Sequence, residues 1–339
     1  MKQKILHKKN NEIERNRWQE LVIHSSTASF FQTPECYNFY ASLPFLKPFV
    51  FGISENGKLQ GIAVGYITAG GGWLKRYFSW RAIISGGLLL DNNISADVLN
   101  EFLEHIKSEL TSKAIYVEIR NNNDYLKHKQ LFNDAGFEAQ PHLNYQIALT
   151  DEKTVFSRLS ESKRRQIKAA RKQGVRWEET TRKEDISAYY SILERLYKSK
   201  IKRPLFPVMF VEKLLQQPFG KLLVVKKENK VIGGMVCVVF SDDVLYELYV
   251  CGDENVDKKN YPSVMATWAG IEYALQNKIK QFDFMGAGKP NQSYGVREFK
   301  SRFGGGLVEY GRFLYVCKPF LYHAGKYYIE KILPKIKNY

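Results

Sequence analysis

The sequence predicts an α/β (α+β) protein of two tandem domains, each a mixed sheet flanked by helices. Three observations lead there. The chain has 339 residues, a length that fits about two domains. Its apolar pattern switches repeatedly between the period of a strand and that of a helix. Its halves also repeat, since FVFGISENGKLQGIAVGYI parallels LLVVKKENKVIGGMVCVVF. Each is a strand, a Glu-Asn turn and a returning strand, with Gly61 on Gly233. Further along, LFNDAG (131–136) matches FKSRFG (299–304), with Gly136 on Gly304. The matched glycines lie 75 residues apart in the first copy and 71 in the second.

In chain order, residues 11–24 read as a helix with Ile13, Trp18, Leu21 and Val22 on one side. Thr33-Pro34 is a helix start. Lys47 to Ser54 and Gly61 to Ala69 are strands, with Asn56-Gly57 as their hairpin turn. The stretch GGGWLKRYFSWR is aromatic and basic, and RAIISGGLLL reads as a buried strand. A helix over 95–112, a strand over 115–120, a helix closed by Phe132 to Gly136 and a strand ending at Leu149 complete the first domain, residues 1–149. The second domain, 150–318, begins with helices over 152–173 and 184–200. KRPLFP interrupts, and Val208 to Gln216 is helical. Strands follow over Lys221–Lys227, Val231–Phe240 and 244–252, then a helix over Ser263–Asn277. The strand ending in Phe284 runs into a Gly-rich turn holding Gly286, Gly288, Pro290 and Asn291. A short amphipathic segment comes next, with Val296, Phe299 and Phe303 on one side and Arg297, Lys300 and Arg302 between them. Leu307 to Val316 reads as one further strand.

The composition bounds function. Hydrophobic residues make up 44% of the chain, enough for packed cores. The formal charge of +16 fits anionic partners: nucleic acid, phosphorylated substrates or an anionic membrane surface. Four cysteines without paired spacing argue against a zinc site or disulfide framework. The opening MKQKILHKKNNEIERNRW has no apolar core, so no signal peptide is expected. No apolar run reaches membrane-spanning length. The expectation is a cytoplasmic protein, with peripheral contact to the inner membrane face left open.

The clearest basic element is the helix SESKRRQIKAARKQGV, capped by Ser160 and ended by Gly174. Arg164, Lys168 and Arg171 form one face of it, a stripe suited to donor phosphates or equally to solvent. VLYELYVCG sets Glu247 in an apolar strand, sharing a face with Tyr249 and Cys251 by simple alternation. Such a carboxylate lies either on a wet face or in a functional cleft. Lys202 and Arg203 sit at a helix-breaking loop, where Arg suits phosphate or carboxylate. No nucleophile elbow, Walker loop, dinucleotide fingerprint or metal-like histidine spacing is present. The second copy keeps Phe299, Lys300 and Arg302 where the first has Leu131, Phe132 and Asp134. The second copy is therefore the better candidate for chemistry, with Lys300, Glu247 and Arg203 expected to line one cavity.

The ordered series SKRRQIKAARKQGV, KRP, GGMVCVVF, LYELYVCG, YPSVMATWAGIEYALQN, FDFMG and YGVREFKSRFGG resembles the Fem family of aminoacyl-tRNA-dependent peptidyltransferases. It also resembles the related tandem acetyltransferase-like (GNAT-like) proteins of cell-wall and polysaccharide synthesis. The likeness covers most of the chain and is strongest over 155–317. It implies two GNAT-like domains, with residues 319–339 as a helix returning to the first. It implies transfer of an amino acid from aminoacyl-tRNA to an amine of a peptidoglycan precursor, with no cofactor beyond the co-substrate. Phe299 and Lys300 match the family's Phe-Lys pair at the reaction site, and Arg203 is the nearest match to its acceptor-binding Arg. FFQTPECYNFYA lacks the Lys that compact members use for the acceptor.

The chemistry implied is aminolysis of an ester, which needs a proton acceptor and a donor to the oxyanion. Phe299, Lys300, Glu247 and Asp283 are the catalytic candidates. Lys300 would supply positive charge, and Glu247 or Asp283 would take the proton unless the substrate does so itself. Lys202, Arg203, Tyr249 and Asn291 are candidate acceptor contacts, and Arg164, Lys168 and Arg171 donor contacts. Lys300→Ala is expected to spare the fold. The partners expected are an aminoacyl-tRNA and an amino-sugar, muropeptide or lipid-linked precursor. The alternatives are an acyl-CoA-dependent N-acyltransferase of polysaccharide synthesis and a non-catalytic RNA- or membrane-binding relative. Against CoA, KKNYPSVMATWAG has Pro262 and no glycine pair where a pyrophosphate loop would lead into its helix.

Overall fold

The computed structural model describes residues 3–68, 80–202 and 204–328. The chain forms two compact units, 1–141 with 310–339, and 142–309. In the first unit the strands are β1 (Lys4–His7), β2 (Lys47–Glu55), β3 (Lys58–Thr68), β4 (Arg81–Gly86), β5 (Leu89–Leu90), β6 (Tyr116–Asn121), β7 (Glu138–Gln140) and β15 (Arg312–Val316). Its helices are α1 (Arg15–His24), α2 (Pro34–Ala41), α3 (Ala96–Leu110), α4 (Lys129–Asp134) and α11 (Pro319–Tyr327). The second unit has β8 (Asn144–Ala148), β9 (Arg176–Glu179), β10 (Gly220–Lys227), β11 (Lys230–Phe240), β12 (Val244–Gly252), β13 (Gln281–Asp283) and β14 (Gly306–Val308). Its helices are α5 (Glu152–Arg158), α6 (Glu161–Lys172), α7 (Lys183–Leu196), α8 (Val208–Leu215), α9 (Pro262–Gln276) and α10 (Gly295–Ser301).

The two sheets have one plan. The first runs β1-β2-β3-β4-β6-β15-β7, with β5 also on β3, and the second β9-β10-β11-β12-β13-β8-β14. One neighbouring pair in each is parallel, β4 with β6 and β12 with β13. The hairpin turns also agree. Asn56-Gly57 has φ of 50° and 77°, and Glu228-Asn229 has 49° and 65°. Two positive φ values in a two-residue loop match the right-handed twist of the strands they join.

The sixth position of each sheet comes from an unexpected stretch of chain. β8 follows the first copy in sequence yet lies between β13 and β14 of the second sheet. β15 follows the second copy yet lies between β6 and β7 of the first. The boundaries therefore fall at 141/142 and 309/310, not at 149/150 and 318/319. The stretch Leu307 to Val316 is not one strand. It breaks at Gly311, where φ is 67°, and its halves join different sheets.

Helix packing follows the apolar stripes. In the first unit Phe102, Leu103 and Ile106 of α3 lie in one core with Ile53, Ala63, Ile84, Val117 and Ile119 of the sheet. In the second, Trp268, Ala269 and Ile271 of α9 join Ile167 and Ala170 of α6 over Leu223, Met235, Leu245 and Phe282. Each such large side chain contributes about 1.5–3 kcal/mol on full burial. Ser160 caps α6, accepting from the Lys163 amide at 3.4 Å, and Gly174 ends it with φ 79°. The helical stretch read as 152–173 is two helices, because Leu159 and Ser160 leave the helical region. The aromatic-basic stretch up to Ser79 lies outside the described residues. No helix among those described is long and apolar enough to cross a membrane.

The matched glycines test the duplication physically. Gly136 and Gly304 have φ of 84° and 80°. A Cβ at Gly136 would meet only the Tyr315 ring at 3.7 Å, whereas at Gly304 it would lie 2.5 Å from the Arg158 carbonyl oxygen. Gly136→Ala should cost about 1–2 kcal/mol, the penalty of a side chain in the left-handed region. Gly304→Ala should cost clearly more, because backbone must also move. Urea unfolding of the two variants checks this, and equal costs would remove the distinction.

Candidate active site

β12 has nine residues, but its parallel partner β13 has three. The two pair only over Val244–Tyr246 and Gln281–Asp283, then part. Glu247 is the first residue beyond the fork. In the first unit the equivalent pair, β4 with β6, is closed over all six residues from Arg81 to Gly86. An opening between parallel strands at their carboxyl ends is a natural ligand site in mixed sheets.

On its other side β12 carries a bulge. Tyr249 is opposite Val236, and Glu247 is opposite Cys237, so Leu248 is the extra residue. The bulge reverses the alternation. Glu247 shares a face with Cys237 and Leu245, while Tyr249 and Cys251 turn to α7. There Tyr189 Oη donates to the Tyr249 carbonyl at 2.9 Å, and Tyr249 packs on Tyr197 and Phe210. The expectation that Glu247 and Tyr249 share a face is thus corrected.

The Gly-rich loop brings Lys300 to Glu247. Met285, Gly286 and Gly288 have φ of 57°, 121° and 80°, so the chain turns back sharply after β13. A non-glycine residue held in the left-handed region marks local strain. The turn presents the Phe284 and Gly286 carbonyls to Lys300 Nζ, which donates to them at 2.5 and 3.0 Å. Glu247 Oε1 lies 3.2 Å from the same nitrogen. An ammonium has three donors, and all three are used. Lys300 is 8% exposed and Glu247 4%. Glu247 Oε2 is buried with no hydrogen-bond partner among the described residues. Burial pushes the Glu247 carboxyl up, against the pull of Lys300, and the nearby Asp283 charge adds to the rise. Lys300 is therefore not a removable surface group. Lys300→Ala would strand a buried carboxyl, so the expectation that it spares the fold is also corrected.

Asp283 is 1% exposed. Its carboxylate accepts from Asn144 Nδ2 at 2.8 Å, Gln146 Nε2 at 2.9 Å and the Met285 amide at 2.6 Å. Asn144 Oδ1 accepts from the Gly286 amide at 2.7 Å. Burial raises the Asp283 carboxyl, opposed by the two amides. Arg297 donates to the carbonyls of Ala287, Pro290 and Lys289, fastening the same loop. Arg302 pairs with Glu298.

The registers map the units onto each other. With Gly136 on Gly304, Glu118 falls on Asp283, Arg312 on Asn144 and Ile84 on Glu247. Where the second unit has the pair Glu247 and Lys300, the first has Ile84 and Phe132, both fully buried core residues. Glu118 lies 2.7 Å from both Arg120 and Arg312. Burial alone would raise its carboxyl, but the two guanidinium groups hold it at about 2. The fold thus accepts an apolar pair at the fork position. The buried ion pair is not required by the architecture.

The remaining candidates separate. Phe299 is half-buried and packs on Phe303. Asn291 is exposed, and Lys202 is exposed with φ 54°. Arg203 lies outside the described residues, so its place at a cavity with Lys300 and Glu247 is not described. On α6, Arg171 is 2.5 Å from Glu272, which also accepts from Trp177 Nε1 at 2.6 Å. Arg171 thus braces α6 against α9 and leaves the stripe. Arg164 donates to the Ser157 carbonyl at 3.3 Å, and Lys168 is exposed. Three polar residues were missed. Asn144 and Gln146 were read into the wrong domain. Lys163 faces inward, and its spacing of four from Ile167 was the available signal. No group of three His, Cys, Asp or Glu among the described residues could hold a metal ion.

Residues 157–301 match the family model of the acetyltransferase (GNAT) domain. No curated protein matches the chain in sequence. In structure the chain is similar to FemX, at 14% identity and a TM-score of 0.70, covering 95% of this chain and 99% of that one. It is similar to the C-terminal domain of a candidate lysylphosphatidylglycerol synthetase from Agrobacterium fabrum, at 11% identity and 0.58, covering 92% and 96%. A tandem GNAT protein from the clavulanic acid biosynthesis pathway matches at 9% identity and 0.57, covering 94% and 99%. The class so defined is the tandem GNAT-type acyltransferase fold, as the resemblance implied. Its second unit holds the domain that the family model matches.

The ion pair can be tested against its apolar counterpart. Glu247→Ile or Lys300→Phe alone should destabilise by about 3–5 kcal/mol, the usual result of stranding one buried charge. The double variant, which copies Ile84 and Phe132, should recover much of that loss. A double-mutant cycle by denaturant unfolding reads the coupling. Strictly additive losses would show that the two residues do not act as a pair.

Proposed function

We propose that this protein is an acyltransferase that forms an amide on an amine of a peptidoglycan or surface-polysaccharide precursor, using aminoacyl-tRNA as donor. The observation that supports it most is the buried Glu247–Lys300 pair at the fork, where the first unit has two apolar residues. The amine nitrogen attacks the ester carbonyl, a C–N bond forms, and the C–O bond to the ribose breaks. The proton leaving nitrogen goes to Glu247 and then to the departing oxygen. The unpartnered Oε2 suits that role, and Lys300 stabilises the ionised form. With its three donors engaged, Lys300 acts by holding Glu247 and the loop, and its charge favours a developing oxyanion at longer range.

The net charge of +16 suits a polynucleotide donor. The turn into α9 argues the same way. Tyr261 is its N-cap, with φ 45°, and Pro262 takes the first helical position. Proline lacks an N–H, which leaves fewer donors for a pyrophosphate there. An acyl-CoA donor is the second reading, favoured by the likeness to the tandem GNAT protein. The name of the candidate lysylphosphatidylglycerol synthetase suggests a lipid acceptor, and the resemblance to the Fem family implies a cell-wall one.

Purified protein incubated with radiolabelled aminoacyl-tRNA and a cell-envelope precursor fraction should transfer label to an amide, and ribonuclease treatment should abolish it. Transfer from acyl-CoA alone would establish the second reading, and transfer from neither donor would overturn the enzyme assignment.

Salt dependence separates the α6 cations. Lys168→Gln should lower the slope of log affinity for tRNA against log salt by roughly one unit, one phosphate contact. Arg171→Gln should leave the slope alone and lower the melting temperature, because Glu272 is its partner. The reverse outcome would restore Arg171 to the donor surface.

A further inference from the structure

One buried charge takes no part in the chemistry above. Lys163 of α6 is 5% exposed. Its Nζ lies 4.0 Å from the centre of the Phe299 ring and 5.2 Å from that of Phe303. Among the described residues no carboxylate pairs with it. The charged side chains nearby are otherwise engaged. Arg302 pairs with Glu298, Glu161 with Arg165, and Arg164 with the Ser157 carbonyl. Lys258 and Lys259, on the turn before α9, are exposed and of like charge.

The same stretch grips the turn that follows α10 at two more points. The Ser160 amide donates to the Arg302 carbonyl at 2.9 Å, and the Arg158 carbonyl abuts Gly304. Residues 158–163 thus hold 299–304 along their length. Phe299 is adjacent to Lys300, and Phe303 packs on Phe284, whose carbonyl Lys300 binds. An ammonium over an aromatic face in a dry site is attracted by the ring quadrupole.

We propose that Lys163 is a positioning residue, whose charge on the Phe299 and Phe303 rings locks α10 and so holds Lys300 against Glu247. This rests on the acyltransferase reading only for its catalytic consequence. The clamp itself is a structural claim. Burial and the neighbouring Arg302 lower the Lys163 ammonium to about 8, a shift that opposes the attraction of the two rings. Between pH about 8 and the ordinary lysine value of 10.5, the unfolded chain holds a proton that the folded one has lost. Folding is therefore favoured by rising pH in that window.

The test is acylation of lysines by acetic anhydride, read by mass spectrometry, on the full chain. Lys226, which is 6% exposed and paired with Asp185 at 2.8 Å, serves as the internal control. In Lys163→Met, labelling of Lys300 relative to Lys226 should rise about tenfold, as expected for loss of a desolvated cation–π contact. Lys163→Arg should stay near wild type. Phe299→Leu, which keeps Lys163 and removes the nearer ring, should raise the same ratio in the same direction. An unchanged ratio in both experiments would overturn the clamp. Where transfer is measured, Lys163→Met should lower kcat while KM holds, and Lys163→Arg should remove that fall. A persistent fall in Lys163→Arg would overturn the catalytic consequence. Absence of transfer in every protein would count against the proposed function and leave the labelling result to decide the clamp.

Discussion

The Lys300 ammonium is taken out of water and finds three acceptors, two carbonyls and a carboxylate. Much of the second unit's site follows from these contacts. The carbonyls of Phe284 and Gly286 converge only because the chain turns left-handed at Met285. The carboxylate arrives only because the bulge at Leu248 turns Glu247 to the side of Cys237 and Leu245. Removing two charges from water costs several kcal/mol, and an apolar pair of similar size is often as stable. The first unit shows that alternative realised in the same fold, with Ile84 and Phe132. A costly pair is kept beside the opening between β12 and β13, where the proposed reaction would use it.

Much of this was legible in the sequence. The hairpins were readable because two-residue turns with positive φ carry a local signature in Asn56-Gly57 and Glu228-Asn229. The contrast between Lys300 and Phe132 was readable because a short helix ending in glycine aligns without a structure. What stayed hidden depended on pairing between distant strands. Alternation put Glu247 and Tyr249 on one face, and only the partner strand shows that Leu248 is bulged. Asn144 and Gln146 looked like the end of the first domain, since nothing local says which sheet a five-residue strand will join. Charge alone could not separate Lys168, in water, from Arg171, held by Glu272, or from Lys163, turned onto aromatic rings.

The duplication also explains why the units can share one architecture and differ in use. Both contain a parallel pair at the same position, and both have a carboxylate on its second strand. In the first unit the strands are zipped to their ends, and Glu118 is pinned between two guanidinium groups. In the second the pair stops after three residues, and Asp283 is held by neutral amides that leave it in a less polarised setting. Opening the sheet, exchanging arginines for amides, and setting Glu247 and Lys300 where the first unit has Ile84 and Phe132 are three changes that set the units apart.

The origin of β15 has a consequence for how the protein is made. Residues 142–309 are contiguous and include every strand of their sheet, so that unit can close as soon as it has left the ribosome. The amino-terminal unit is synthesised earlier but lacks the strand that belongs between β6 and β7 until Val316 has emerged. Its sheet edge at β6 stays unpaired throughout synthesis of the inserted unit. At ordinary translation rates of about 5–20 residues per second, that wait lasts on the order of ten seconds or more. An unpaired edge is a template for mispairing. The part of the chain made first is thus the part completed last.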